Sequence, residues 1–236
     1  MSRVYFTSDT HFGHGNIIKY CSRPFLADAD KEALARDGAW HDGDWKGSRA
    51  SRWKMTPEAV RMMDDELIAQ INAVVQPNDT LWHLGDWCFA PKMEYYNRAR
   101  QYRDRINCRN VNLIWGNHDY RSIKDLFYHT YDHFEIDVDG QMIVLCHYAH
   151  AVWNKSHRGS WHLYGHSHGG AEPWLDRNMP GRRSIDVGVD NAYKLFGKFR
   201  PFSMDDLRAT VGARPGFGMD HHVDPHSTRP PEEACL

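Results

Sequence analysis

The sequence predicts a layered α/β or α+β domain built from mixed β-sheets. Short apolar, β-prone runs recur along the chain, and helix-like segments lie between several of them. Residues 134–138 and 141–146 flank Asp139-Gly140, a strong signal for a β-hairpin. Strands separated by helices favour parallel pairing, whereas a hairpin pairs antiparallel, so we expect both directions in the sheets.

Length and composition narrow the class of protein. A chain of 236 residues fits one domain, at most with an insertion. The net charge of −2 gives no general electrostatic case for binding nucleic acid or a membrane. Five scattered cysteines without a CxxC pair favour a reducing compartment. Because neither a signal-like segment nor a long apolar run is present, we expect a cytoplasmic protein that does not span a membrane.

The first third of the chain contains a strand, a polar loop and a long helix. Residues 4–7 should form a strand, followed by a glycine-containing loop at 8–16 and a short helix from Ile17. Residues 27–54 interleave tryptophans with charged residues and glycine without a period, which is typical of an inserted loop or small cap. Thr56-Pro57 then opens an amphipathic helix that extends to Val75.

The remainder alternates strands and helices up to Gly212. Residues 213–236 are rich in Pro, Gly and His with little to bury, which predicts a disordered tail. The sequence therefore predicts a single domain over residues 1–212 with an insertion at about 27–54. The further predicted elements are strands at 80–84, 111–115, 161–164 and 184–187, helices at 91–106 and 122–128, and a short helix from about Met204.

Polar side chains end five of the apolar runs. Such a design delivers reactive groups at the tips of buried strands, and it predicts a polynuclear metal site at the ends of a sheet. Asp, Asn and His without Cys favour divalent Mn, Fe, Zn or Ni. Two ions that share a carboxylate can hold a hydroxide between them, which suits in-line attack on phosphorus. The five groups are Asp9-Thr10-His11, Gly85-Asp86, Gly116-Asn117-His118-Asp119, His147 and Gly165-His166-Ser167-His168.

This ordered set resembles the calcineurin-like metallophosphoesterase family, whose five blocks it matches in order from Asp9 to His168. Residues 8–14 and Arg23-Pro24-Phe25 further resemble a bacterial and phage branch of predicted phosphohydrolases. The segment 27–54 is longer than expected for that branch. The resemblance implies a four-layer αββα sandwich of two mixed sheets flanked by helices.

The resemblance also implies roles for individual residues. Asp9, His11 and His168 would bind one metal ion, and Asp86 would bridge to a second. Asn117, His147 and His166 would complete the second position. His118 would protonate the leaving group as the general acid, and Asp119 would orient its imidazole.

Several residues near these blocks are candidates for substrate contact. His14 and Asn16 lie close in sequence to Asp9, and a role in stabilising the loop is the alternative. Three arginines could hold phosphate oxygens, or could be solvated surface residues: Arg23, Arg121 and Arg158. Three tryptophans of the 27–54 segment could stack a flat group or pack the segment onto the body: Trp40, Trp45 and Trp53.

The sequence thus predicts a two-metal phosphoesterase acting on a small phosphate ester, with a nucleotide-like substrate among the candidates. Hydrolysis would proceed by attack of the metal-bridging hydroxide on a phosphomonoester or phosphodiester. One alternative is a nuclease, for which Lys46, Arg49, Arg52 and Lys54 could supply a local basic face. Another is a scaffold of the same fold that binds metal without catalysis, although such a scaffold would not need His118.

Overall fold

The computed structural model describes residues 2–36 and 53–216, which form two mixed β-sheets flanked by helices. The predicted fold class is therefore confirmed. The strands are β1 Val4–Thr7, β2 Thr80–His83, β3 Asn110–Ile114, β4 Thr130–Tyr131, β5 His133–Val138, β6 Gln141–Cys146, β7 Trp161–Tyr164, β8 Ser184–Asp186 and β9 Phe202–Ser203. The α-helices are α1 Gly15–Tyr20, α2 Asp28–Arg36, α3 Pro57–Val74, α4 Tyr95–Arg103, α5 Glu172–Asn178, α6 Val189–Phe196 and α7 Met204–Leu207.

The first sheet has the strand order β4-β3-β2-β1-β9, and the second has the order β5-β6-β7-β8. In the first sheet β1 to β4 are parallel, and β9 pairs antiparallel with β1. In the second, β5 and β6 form the antiparallel hairpin while β6, β7 and β8 are parallel. Parallel strands end at the same edge, so each sheet presents several carboxyl-terminal strand ends together.

Side chains alternate between the two faces of the first sheet and so build two cores. Phe6 and Trp82 face the second sheet, where they pack with Leu163 and other residues between the sheets. Tyr5 and Leu81 face the opposite way, into a core covered by α1 to α4. On the second sheet, Glu172 at the start of α5 accepts a hydrogen bond from Tyr164. This order of helices, sheet, sheet and helix agrees with the four-layer sandwich.

The two sheets also meet at their carboxyl-terminal edges. The amide of Val189, which follows β8, donates to the carbonyl of Ser8, which follows β1, at 3.0 Å. His147, which follows β6, lies with Nδ1 2.7 Å from the carbonyl oxygen of Leu84, which follows β2. The loops that carry the polar blocks are consequently brought to one place.

The helix and hairpin predicted most directly from sequence are confirmed. Thr56 caps α3 by accepting the amide of Ala59 at 3.2 Å, and Pro57 occupies the first turn. At the hairpin turn Asp139 and Gly140 have φ values of 54° and 80°, as expected for two left-handed residues in a tight turn.

The prediction that residues 27–54 form a loop or cap without a helical period is wrong for the first part of the segment, where α2 forms. Leu34 of α2 is buried in the core, and Asp30 accepts a hydrogen bond from Trp53 Nε1 at 3.0 Å. Trp53 is also packed against the core, and its carbonyl accepts a hydrogen bond from Lys19 of α1 at 2.6 Å. Trp53 therefore packs the end of the segment onto the body, as one of the two readings predicted. Trp40, Trp45, Lys46, Arg49 and Arg52 lie outside the described residues, and Lys54 is exposed. That 27–54 is an insertion stays a prediction.

Other boundaries differ more modestly. The helix predicted over 91–106 begins only at Tyr95, after a turn, and the one over 122–128 is the 3₁₀-helix Arg121–Leu126. Helices α5 and α6 were not predicted, and both are short. The apolar residues of α6 do have helical spacing, at Val189, Ala192, Tyr193 and Phe196. Of the predicted tail, residues 217–236 lie outside the described residues. Within the described ranges, no helix is long and apolar enough to cross a membrane.

Candidate metal centre

Five of the predicted metal ligands have a left-handed backbone. Positive φ is uncommon outside glycine and costs about 1–3 kcal/mol per residue, so it persists only where the surroundings impose it. Only eight non-glycine residues of the described chain have it. The five ligands with their φ values are Asp9 at 57°, His11 at 49°, Asp86 at 58°, His166 at 66° and His168 at 51°.

The first cluster consists of Asp9, His11 and His168, whose ligand atoms lie within 4.8 Å of one another. Both ring nitrogens of His11 are buried without a hydrogen-bond partner among the described residues. A buried polar atom left in this state costs about 1–3 kcal/mol. Burial also lowers the pKa of His11 well below its usual value, which leaves the imidazole neutral. A neutral, unsatisfied imidazole beside a carboxylate fits a metal ligand.

The second cluster consists of Asp86, His147 and His166, again with ligand atoms within 4.8 Å of one another. Asn117 joins it, since its Oδ1 lies 3.0 Å from His147 Nε2 and 2.9 Å from His166 Nδ1. The carbonyl of Leu84 at 2.7 Å is the nearer of the two acceptors that face the His147 ring, so Nδ1–H donates to it and Nε2 carries the lone pair. That is the tautomer a metal ligand requires.

Asp86 lies between the two clusters. Its Oδ2 is 3.4 Å from His11 Nε2 and 3.6 Å from His147 Nε2. Its Oδ1 accepts the amide of His118 at 2.9 Å, which fixes the direction of the carboxylate. One oxygen thus faces a histidine of each cluster, as the bridging role predicts.

Asp190 on α6 supports the first cluster and was not predicted. Its carboxylate lies 2.7 Å from Nδ1 of His168 and accepts two hydrogen bonds of 2.8 Å from Arg23. Burial lowers the pKa of His168, but the hydrogen bonds to Asp190 and Cys21 and the charge of Asp9 together outweigh it and raise the pKa to about 11. Burial raises the pKa of Asp190, but the charge of Arg23 and the hydrogen bonds from Arg23 and His168 together outweigh it and bring the pKa below the usual value.

The prediction that Arg23 contacts substrate is wrong. Its guanidinium is buried and also donates to the carbonyls of Asp9 at 2.8 Å and Thr10 at 3.0 Å. Its donors are therefore directed at the protein interior. Arg23 joins Asp190 to the loop that holds the first cluster.

Asp186, at the end of β8, is a second supporting residue that was missed. It accepts hydrogen bonds from Ser167 Oγ at 2.7 Å and from the amides of Gly169 at 2.8 Å and Gly188 at 2.7 Å. These bonds hold the loop between the two ligand histidines. The signal was present, since this strand also ends in Asp and a glycine-containing turn.

The predicted role of Asp119 in orienting the His118 imidazole is also wrong. Its Oδ1 accepts from the Trp87 amide at 3.0 Å and the Tyr95 hydroxyl at 2.9 Å. Its Oδ2 accepts from the amides of Asp86 and Gly116, both at 2.9 Å. Four donors occupy the four acceptor positions of a carboxylate. Asp119 instead ties the backbone of Asp86 to the neighbouring loop.

His118 lies beside the clusters and is exposed. Its ring centroid is 5.5 Å from that of His11, and it belongs to neither ligand group. This position agrees with a proton donor outside the metal ligands, and the catalytic role stays a prediction.

The remaining substrate candidates differ in exposure. His14 is half-buried, and burial lowers its pKa to about 4. Arg121 pairs with Asp132 and lies over the ring of Trp115 at 4.5 Å. Two others are exposed and stay predictions: Asn16 and Arg158.

Two glycines permit the close approach of these loops. A Cβ on Gly116 would lie 2.3 Å from Asp86 Oδ1, and one on Gly165 would lie 2.4 Å from Asp9 Oδ2. Both distances are far below any tolerated contact, so neither position accepts a side chain without moving a ligand.

Residues 61–172 match the family model of the calcineurin-like phosphoesterase superfamily domain. That part of the chain is therefore similar to this phosphoesterase domain. The matched stretch contains the blocks from Asp86 to His168, and the structure adds Asp9 and His11 from outside it.

Two further similarities extend over most of the chain. An uncharacterized protein from Methanocaldococcus jannaschii is 27% identical over 207 residues, which covers 87% of this chain and 89% of that protein. The crystal structure of a protein of unknown function from Aquifex aeolicus superposes with a TM-score of 0.56 at 21% identity. That match covers 89% of this chain and 99% of the other, and it shows a shared fold.

Proposed function

We propose that this protein is a dinuclear metal-dependent phosphoesterase that hydrolyses phosphomonoester or phosphodiester bonds. The observation that carries the proposal is the position of Asp86. One oxygen of its carboxylate lies 3.4 Å from His11 and 3.6 Å from His147, which belong to separate ligand clusters. A shared carboxylate of this kind is typical of two-metal hydrolytic sites.

The donor atoms fit two divalent transition-metal ions such as Mn, Fe, Zn or Ni, because oxygen and imidazole nitrogen suit these metals. When bound, two such ions activate a water molecule and neutralise charge on the phosphate oxygens. Asp86 would contact both ions. The remaining ligands would be Asp9, His11 and His168 for one ion, and Asn117, His147 and His166 for the other.

The side chains of the protein donate a proton and position the metal ligands. Water loses one proton to solvent, its oxygen forms a bond to phosphorus while the ester P–O bond breaks, and the departing oxygen needs a proton. His118, exposed beside His11, supplies this proton from its imidazolium. Asp119 holds Asp86, and Asp190 holds His168, so the ligands are positioned before substrate binds.

The experiment that tests the proposal combines metal analysis with turnover. Wild-type protein should hold two ions per chain and hydrolyse 4-nitrophenyl phosphate or bis(4-nitrophenyl) phosphate. Asp86→Asn should lose metal from both positions together and lose activity. The matched control is Asp205→Asn, an exposed carboxylate on α7, which should keep both. Retention of two ions by Asp86→Asn would contradict the dinuclear assignment.

A further inference from the structure

Exposed aromatic rings adjoin the candidate metal centre on the side of His14. Phe89 is 45% exposed and Tyr20 is 69% exposed. The ring of Phe89 stacks on that of His14, with centroids 4.1 Å apart and an interplanar angle of 15°. Tyr20 meets His14 edge-on at 6.3 Å. Single exposed apolar residues are ordinary on a protein surface, but three contiguous rings beside a reactive site form a surface that can bind a ligand.

The backbone of Phe89 is held firmly in this position. Its amide donates to the carbonyl of Phe12 at 2.8 Å, and the amide of Phe12 donates to the carbonyl of Trp87 at 3.1 Å. Phe12 itself is completely buried. The backbone of Phe89 is therefore hydrogen-bonded to the loop that carries His11. Phe89 also follows Asp86 closely in the chain. Its exposure does not result from a loosely attached loop.

Phe89 also adjoins the predicted proton donor. Its ring centroid is 5.9 Å from that of His118, with an interplanar angle of 68°. A general acid must lie next to the oxygen that leaves, so the leaving group must extend along this side of the site. His14 covers one face of the Phe89 ring, and Phe89 is still 45% exposed, so the remaining surface of the ring is open to a ligand.

We propose that Phe89 determines specificity by stacking on a flat aromatic ring of the leaving group, as found in a nucleoside or an aryl-substituted alcohol. This inference rests on the proposed function and names the substrate class of the same site. Aromatic side chains stack on flat rings regardless of their hydrogen-bonding pattern, with useful selectivity over non-planar groups.

The test compares esters that differ only in the planarity of the leaving group. One pair is adenosine 5′-monophosphate and ribose 5-phosphate, which share the same leaving oxygen. The second pair is benzyl phosphate and cyclohexylmethyl phosphate, which have similar size. Each ester is offered as the monoester and as its methyl diester, so that either type of phosphoesterase can be measured. The non-planar members report the basal activity, because the nitrophenyl group is itself a flat ring.

The wild type should prefer the planar member of at least one pair by tenfold or more in kcat/KM. Phe89→Leu, which preserves apolar bulk, should reduce that preference about tenfold, equivalent to about 1.4 kcal/mol. Turnover of the non-planar member should remain. The control Tyr128→Leu, at an aromatic residue 63% exposed and in contact with His129, should leave the preference unchanged. The pair that shows the effect distinguishes a nucleoside from an aryl alcohol.

Two results would overturn the proposal while leaving the proposed function intact. One is hydrolysis of nitrophenyl esters by the wild type without preference for either planar member. The other is an equal loss on planar and non-planar esters in Phe89→Leu with metal content unchanged, which would make Phe89 a support for His14 and His118. Absence of all phosphoesterase activity in the metal-loaded wild type would overturn both the proposed function and the role of Phe89.

Discussion

Nδ1 of His168 lies 2.7 Å from the carboxylate of Asp190, so a residue outside the five sequence blocks orients a predicted metal ligand. A carboxylate behind a ligand histidine fixes the ring and raises its basicity, and its loss typically weakens metal binding 10–100-fold. Asp190→Asn should therefore reduce metal affinity by about that factor, measured by equilibrium dialysis against competing chelator. Asp205→Asn, an exposed carboxylate on α7, is the control. Unchanged affinity in Asp190→Asn would show that His168 needs no such support.

A second prediction concerns the role of His118 as the proton donor. His118→Asn should keep both metal ions, because the residue lies outside the ligand clusters, while kcat falls about 10²–10⁴-fold. The deficit should be small for a nitrophenyl ester and large for an alkyl ester, since only the poor leaving group needs the proton. An equal deficit on both esters would argue against the acid role.

Asp119→Asn should behave differently, because Asp119 holds the amides of Asp86 and Gly116 rather than the His118 ring. An amide replaces one accepting oxygen with a donor, so at least one buried donor loses its partner at a cost of about 1–3 kcal/mol. We expect lower stability and lower metal content in Asp119→Asn, measured by denaturation and metal analysis. Tyr95→Phe removes only one of the four hydrogen bonds and should show a smaller loss of stability. Normal metal content with a selective loss of kcat would restore the orienting role for Asp119.

The five blocks could be found from sequence because each is local: an apolar strand followed at once by Asp, Asn or His. The supporting residues could not be found this way. Arg23 and Asp190 are 167 positions apart, and their pairing exists only after the two sheets meet. Asp119 looked like a partner of its neighbour His118, yet its hydrogen bonds go to other segments. Helix α2 was not predicted, because its residues were grouped with the adjoining stretch that is rich in Trp and Gly and has no helical period.

A fourth prediction concerns the close approach of the loop at Gly165. A Cβ there would lie 2.1 Å from Ser8 Oγ and 2.4 Å from Asp9 Oδ2, so Gly165→Ala must displace the Asp9 loop. We expect loss of metal from the first cluster together with reduced stability. Gly140→Ala in the hairpin turn is the control, since its Cβ would meet nothing within 4 Å. That variant has only the backbone cost of positive φ, about 1 kcal/mol. Equal metal content in the two alanine variants would contradict the packing argument.

The last prediction is a dependence of stability on pH that arises from Asp64 of α3. Burial raises the pKa of Asp64 from 3.8 to about 6, although its carboxylate accepts the amide of Gly13 and the hydroxyl of Tyr102. Because the folded pKa lies above the unfolded one, the contribution to stability is complete below pH of about 4 and is lost as the pH rises through about 6. Asp64→Asn cannot ionise and escapes this loss. Relative to wild type, the variant should therefore gain stability between pH 4.5 and pH 7.5, by roughly 2–3 kcal/mol at most. Denaturant unfolding of both proteins at the two pH values measures the difference. The control is Asp65→Asn, at an exposed neighbour paired with Arg105, which should show no such trend. A stability difference between Asp64→Asn and wild type that does not change with pH would mean that Asp64 is ionised throughout this range.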